Sequence, residues 1–130
     1  MENVKKVVFC TGKVHMDLIS HKDFESAEDI SVIRFEELYP YPTQYVDREL
    51  KKLPNVEEFC WLQEEPQNRG AWSFIRPRLM RSLPQGAKLT YVGRPATPSP
   101  AEGSNWLHKM QQEHLIKVVL GTEEPVSEFV

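Results

Sequence analysis

The chain is poor in the residue types that mark the simplest function classes. It has two cysteines, Cys10 and Cys60, each inside an apolar run, with no Cys-x-x-Cys pair and no Cys/His metal spacing. That excludes a disulfide scaffold or zinc module and predicts two reduced thiols packed as small hydrophobes. No apolar stretch approaches the length of a membrane span, and Met1 to Lys6 lacks the apolar region of a secretory signal. Basic excess is missing as well. The net charge is -3, and Lys5-Lys6 and Lys51-Lys52 are the only basic doublets, so nothing favours nucleic acid or an anionic membrane. A soluble, cytoplasmic protein is expected.

What is present fits one globular domain. With 130 residues, 40% hydrophobic and 27% charged, a real core is affordable. Residues 1–121 are expected to form the domain and 122–130 a flexible acidic tail. Short β-rich runs alternate with helix-like stretches, the pattern of a mainly parallel sheet covered by helices. Strands are expected at Lys6–Cys10, Ile30–Phe35, Val56–Gln63 and Lys88–Val92. Between them, Val14, Leu18 and Ile19 can share one helical face, and Val46, Leu50 and Leu53 form the stripe of a second helix opened by Pro42 and closed by Pro54. Trp72, Ile75, Leu79 and Leu83 suggest a third, in which Pro77 predicts a kink or late start. Gly93 to Pro100 reads as an extended loop. The last helix runs from Asn105 to Leu120, packs through Leu107, Met110, Leu115, Val118 and Val119, and stops at Gly121.

Candidate chemistry is sparse. A strand followed by Thr11-Gly12-Lys13 invites a phosphate-loop reading, but Val14 stands where Ser or Thr is needed and no GxGxxG occurs. Anion binding by Thr11, Gly12 and Lys13, with Arg94 ahead of its proline loop, stays open beside a plain surface turn. Glu64 and Glu65 are adjacent, so in an extended chain they diverge and cannot act as one acid/base pair. A capping or interface role is expected of them, and a solvated edge of Glu36-Glu37. His15, His21, His108 and His114 are dispersed, and His108 and His114 lack the i, i+4 spacing of a metal pair. No Ser/His/Asp or Cys/His frame is visible, so catalytic, cofactor and metal residues are all expected to be absent from this segment.

Three stretches carry a resemblance: Phe9-Cys10-Thr11-Gly12-Lys13-Val14, Val32 through Glu36-Glu37-Leu38-Tyr39-Pro40-Tyr41-Pro42, and Trp61-Leu62-Gln63-Glu64-Glu65-Pro66-Gln67-Asn68-Arg69-Gly70-Ala71-Trp72. Tyr91 to Gly103 and His108-Lys109-Met110-Gln111-Gln112-Glu113 continue it. In this order, from about Lys6 to Leu120, the series resembles the C-terminal domain of the E1 component of 2-oxoglutarate dehydrogenase.

The resemblance implies an α/β three-layer sandwich, transketolase C-terminal type, with a mostly parallel sheet of about five strands, one antiparallel, and helices on both faces. It implies a thiamin-diphosphate enzyme that decarboxylates 2-oxoglutarate and passes the succinyl group to the lipoyl arm of E2, with thiamin diphosphate and magnesium held in preceding domains. Partners would be the remaining E1 domains, a second E1 subunit, and E2 dihydrolipoyl succinyltransferase and E3 through the full complex. The location would be cytoplasmic, or the mitochondrial matrix in a eukaryote. Gln63, Glu64, Glu65, Asn68, Gly70 and Trp72 would form a contact edge, and the isolated chain would be inactive. Some members carry a nucleotide or acyl-CoA effector site here. Glu37 and Thr43-Gln44-Tyr45 stand where a Gln and basic residues are usual, and they are poor partners for phosphates. Whether the substrate is 2-oxoglutarate or 2-oxoadipate stays open, as does a free-standing regulatory module that binds an anionic metabolite or nucleotide.

Overall fold

The computed structural model describes residues 3–94 and 105–121, and of 105–108 the backbone alone. Strands β1 (Lys6–Thr11), β2 (Ile30–Phe35), β3 (Glu58–Pro66) and β4 (Leu89–Arg94) alternate with helices α1 (Val14–Ile19), α2 (Thr43–Lys51), α3 (Trp72–Ser82) and α4 (Asn105–Leu120). Each strand returns to the same end of the sheet through a helix, so neighbours run parallel. The order is β2-β1-β3-β4, with every pairing parallel. The expected sandwich is present, but the described residues contain four strands rather than five, none antiparallel.

Side-chain alternation divides the core into two layers. Val7, Phe9, Phe59 and Trp61 face α2 and α3 and meet Val46, Ile75 and Leu79. Val8, Cys10, Cys60 and Leu62 face the other way, against Val14 and Leu18 of α1 and Leu115, Ile116 and Val119 of α4. Both cysteines are buried free thiols, as their apolar settings suggested.

Three local expectations change. Helix α3 starts at Trp72 and runs through Pro77. The proline and Ser73, four residues earlier, are both exposed, so water can serve the carbonyl that loses its donor. Gly93 and Arg94 belong to β4 rather than to a loop, because the Arg94 carbonyl accepts from Gln67 N at 3.0 Å. Met110 is half exposed instead of packed. Gly121 stops α4 with φ 79 and donates to Val118 O at 3.1 Å. The proline loop beyond Arg94, Leu107's side chain and the acidic tail lie outside the described residues.

Candidate functional site

The sequence directs attention to the carboxyl end of β3, where parallel sheets place their contact and ligand groups. Gln63 lies two residues after Trp61 on the same side of the strand and is buried. Trp61 Nε1 donates to Gln63 Oε1 at 2.9 Å. The Gln63 amide nitrogen then donates to the carbonyls of Glu65, Pro66 and Arg69 at 3.1, 3.0 and 2.9 Å. One side chain thus gathers the backbone of the turn from inside. A buried amide with all its valences used is rigid, since any rearrangement would strand polar groups away from water.

Tyr91 supports the turn from β4. Its hydroxyl donates to Arg94 O at 2.7 Å, with Glu65 O also near at 3.4 Å. Burial pushes the phenol well above its ordinary range, so it remains a protonated donor. Trp72 packs half-buried on Tyr91 with ring centroids 5.3 Å apart. Gly70 takes φ 68, and a Cβ there would lie 3.1 Å from Glu65 Oε1, so a left-handed, crowded position requires glycine.

The candidate contact residues therefore separate by role. Gln63 frames the turn, Trp72 is partly engaged within the fold, and Glu65, Asn68 and Gly70 are exposed. Glu64 is half-buried and diverges from Glu65 as an extended chain requires. Its Oε2 is enclosed yet accepts no hydrogen bond, an expensive condition for a carboxylate oxygen.

The four candidate anion-binding residues do not form one pocket. Thr11 Oγ1 donates to Phe35 O at 2.7 Å, which ties it to β2. Gly12 takes φ 76. Lys13 begins the six-residue α1 with its side chain 77% exposed, 3.8 Å from Asp17. Arg94 is buried and donates to Gln112 Oε1 at 3.4 Å, while Gln112 Nε2 donates to Asp17 Oδ2 at 3.1 Å. Lys13 meets the Asp17 carboxylate directly and Arg94 is linked to it only through the Gln112 amide, so the two cations do not converge on one anion pocket.

Asp17, Gln112 and Tyr91 were missed from sequence, and only Tyr91 left a trace, as an aromatic on an alternating strand. Among the histidines, His21 Nε2 donates to Glu113 Oε1 at 2.9 Å and its Nδ1 accepts from Asp23 N at 3.1 Å. That bond is the main cause holding the Glu113 carboxyl below its usual range. Among the described residues no cluster of three potential metal ligands occurs, and no helix is long and apolar enough to cross a membrane.

Residues 1–120 match the family described as 2-oxoglutarate dehydrogenase C-terminal. The chain belongs to that family. The 2-oxoglutarate dehydrogenase E1 component of Cupriavidus necator is 47% identical over 114 residues, covering 88% of this chain and 12% of that protein. Its counterpart in Haemophilus influenzae is 40% identical over 119 residues, 92% and 13%. The 2-oxoadipate dehydrogenase complex component E1 of Danio rerio is 43% identical over 116 residues, 88% and 12%. The chain therefore spans about an eighth of the length of these relatives. This 2-oxoglutarate dehydrogenase C-terminal domain is similar to relatives named for two different 2-oxo acids.

Proposed function

We propose that this chain is the assembly domain at the C-terminal end of an E1 component, packed against the rest of that polypeptide and extending its contact with a second subunit. The full enzyme would decarboxylate a 2-oxo acid, 2-oxoglutarate in the first instance, and hand the acyl group to a lipoyl-bearing E2, with E3 completing the complex. It would reside in the cytoplasm, or in the matrix of a mitochondrion. The domain would be residues 1–121, followed by 122–130 as a tail.

What supports the reading most is the turn Gln63–Trp72. Its inner polar groups are bonded within the fold, while Glu64 Oε2 is enclosed without a donor. That oxygen is covered by this chain's own atoms, so it is the exposed Glu65 and Asn68 beside it that can offer directed hydrogen bonds to a partner. The residues present do not fit thiamin diphosphate and magnesium. The Thr11–Lys13 turn has a single glycine and Asp17 beside its lysine, and no carboxylate cluster awaits a cation among the described residues. We assign the cofactor to the rest of the E1 polypeptide.

A segment exchange tests the reading. This chain would replace the matching segment of the Cupriavidus necator E1 component. Retained dimerisation and thiamin-dependent turnover of 2-oxoglutarate are expected. A soluble chimera that is monomeric and inactive would overturn the proposal.

A further inference from the structure

Helix α3 has an unusual composition for a chain with net charge -3. From Trp72 to Ser82 it contains three arginines and no Lys, Asp or Glu. Its buried stripe is Ile75 and Leu79. At 100° per residue the opposite arc runs from Arg76 through Met80 and Arg81 to Phe74. Arg76 and Arg81 are exposed, and Met80 is 42% exposed. Neither arginine is ion-paired to a carboxylate among the described residues.

The β2–α2 connection adds to this face. Tyr39, 70% exposed, packs tilted against Phe74 with ring centroids 4.2 Å apart. The Arg78 guanidinium lies 3.7 Å from the centroid of the same ring, and its Nη1 donates to Phe74 O at 2.7 Å. Arg78 is thereby held in place with further N–H groups to offer. Aromatics, Met and Arg with Lys, Glu and Asp excluded is the composition that distinguishes the centre of a protein interface from ordinary surface.

We infer that the outer face of α3 with Tyr39 is a docking surface for an acidic, partly apolar face of the remaining E1 polypeptide. The inference rests on the assembly reading above. The occupant follows from two observations: seven-eighths of the length of the relatives lies outside this chain, and the unpaired positive charge of α3 calls for carboxylates opposite. Arginine forks would grip those carboxylates while Tyr39, Phe74 and Met80 exclude water around them.

The test uses the Cupriavidus necator chimera carrying Tyr39→Cys. Maleimide alkylation at position 39 is followed by the mass of its peptide, in the assembled enzyme and in the same protein unfolded in urea. Position 39 should react at least about ten-fold more slowly in the assembled enzyme, because reagent access is lost on burial. A second variant, Arg81→Glu beside Tyr39→Cys, replaces an exposed side chain and should raise alkylation of position 39 in the assembled enzyme by about ten-fold. Alkylation of position 39 near the unfolded rate, or a rate in the assembled enzyme unaltered by Arg81→Glu, overturns the inference. If the unsubstituted chimera fails to assemble, the assembly reading and this inference both fall. If it assembles and turns over while position 39 stays open, only the inference falls.

Discussion

Replacing Gln63 by Leu tests how much of the fold hangs on one buried amide. Leucine is similar in size and fits apolar surroundings, so packing is roughly preserved. What vanishes is the acceptor for Trp61 Nε1 and the donor to the carbonyls of Glu65, Pro66 and Arg69. A buried indole N–H left without a partner costs about 1–3 kcal/mol, and the two amide hydrogens forfeit about 1 kcal/mol each. The extra apolar burial offsets about 1 kcal/mol. The net loss is about 3 kcal/mol, a large share of the roughly 5–15 kcal/mol that holds a domain together. In urea, with a slope of about 2 kcal/mol/M, the midpoint should fall by roughly 1.5 M. The titration is followed by tryptophan fluorescence of the 130-residue chain. A midpoint within about 0.3 M of the parent would mean that the amide network is not what holds the turn.

Further expectations concern the same end of the sheet and the two thiols. Gly93→Ala should destabilise by about 2 kcal/mol or more, because its Cβ would sit 2.9 Å from Gln63 O and against the Tyr91 ring; Gly86→Ala meets no atoms within 4 Å and pays only for its positive φ, so a larger midpoint loss for Gly86→Ala in parallel urea titrations would refute the crowding argument. Burial pushes Cys10 and Cys60 up to about 12 from 9.0, so the unfolded chain loses these protons first and stability falls as pH rises from 9 towards 12. By pH 10 the loss should be about 1 kcal/mol per thiol, and thermal melts from pH 8 to 10 that stay level after Cys60→Ser and Cys10→Ala would support that origin, whereas an undiminished slope would refute it. For His21→Ala, the Glu113 carboxyl should return towards 4.5 in a carbon-detected titration. Because a lowered carboxyl stabilises above its unfolded value and loses that contribution as pH falls through the folded one, the variant should lose less on acidification below pH 4.5, by a fraction of a kcal/mol at this surface pair.

Where structure is set by neighbours in the chain, the sequence reading was accurate. Ile30–Phe35 was placed as a strand by its own apolar run, and Asn105–Leu120 as a helix ending at Gly121, because period and stop signal are local. The turn after β3 was legible for the same reason: apolar strand, carboxylates, proline, glycine and aromatic follow one another. What was not legible depends on pairing across the sheet. From sequence Arg94 stands ahead of a proline loop, either exposed or held towards an anionic group, yet it is buried, because β4 continues alongside Pro66. Tyr91 supports Arg94 and Glu65 only once β3 and β4 lie side by side. Pro77 reads from sequence as a kink or late start of α3, yet the helix begins at Trp72, and the exposure of Pro77 and Ser73 lets water serve the freed carbonyl. Asp17 and Gln112 are 95 residues apart, and no spacing rule connects them.

The phenol beside the turn and the two core thiols are held as supporting groups. A catalytic site shifts its groups towards reactivity, giving thiolates, free bases or acids poised near neutral pH. Burial lowers His15 towards the free base, but Tyr91, Cys10 and Cys60 are driven up by burial and held protonated, where a thiol is a poor nucleophile and a phenol a fixed donor. The hydrogen bonds point the same way, since Gln63 and Tyr91 donate to backbone carbonyls of the turn rather than to a cavity. Backbone geometry is what these residues secure. On the assembly reading proposed above, the exposed Glu65 and Asn68 of this turn and the carboxylate-free arginine helix after it would meet another surface.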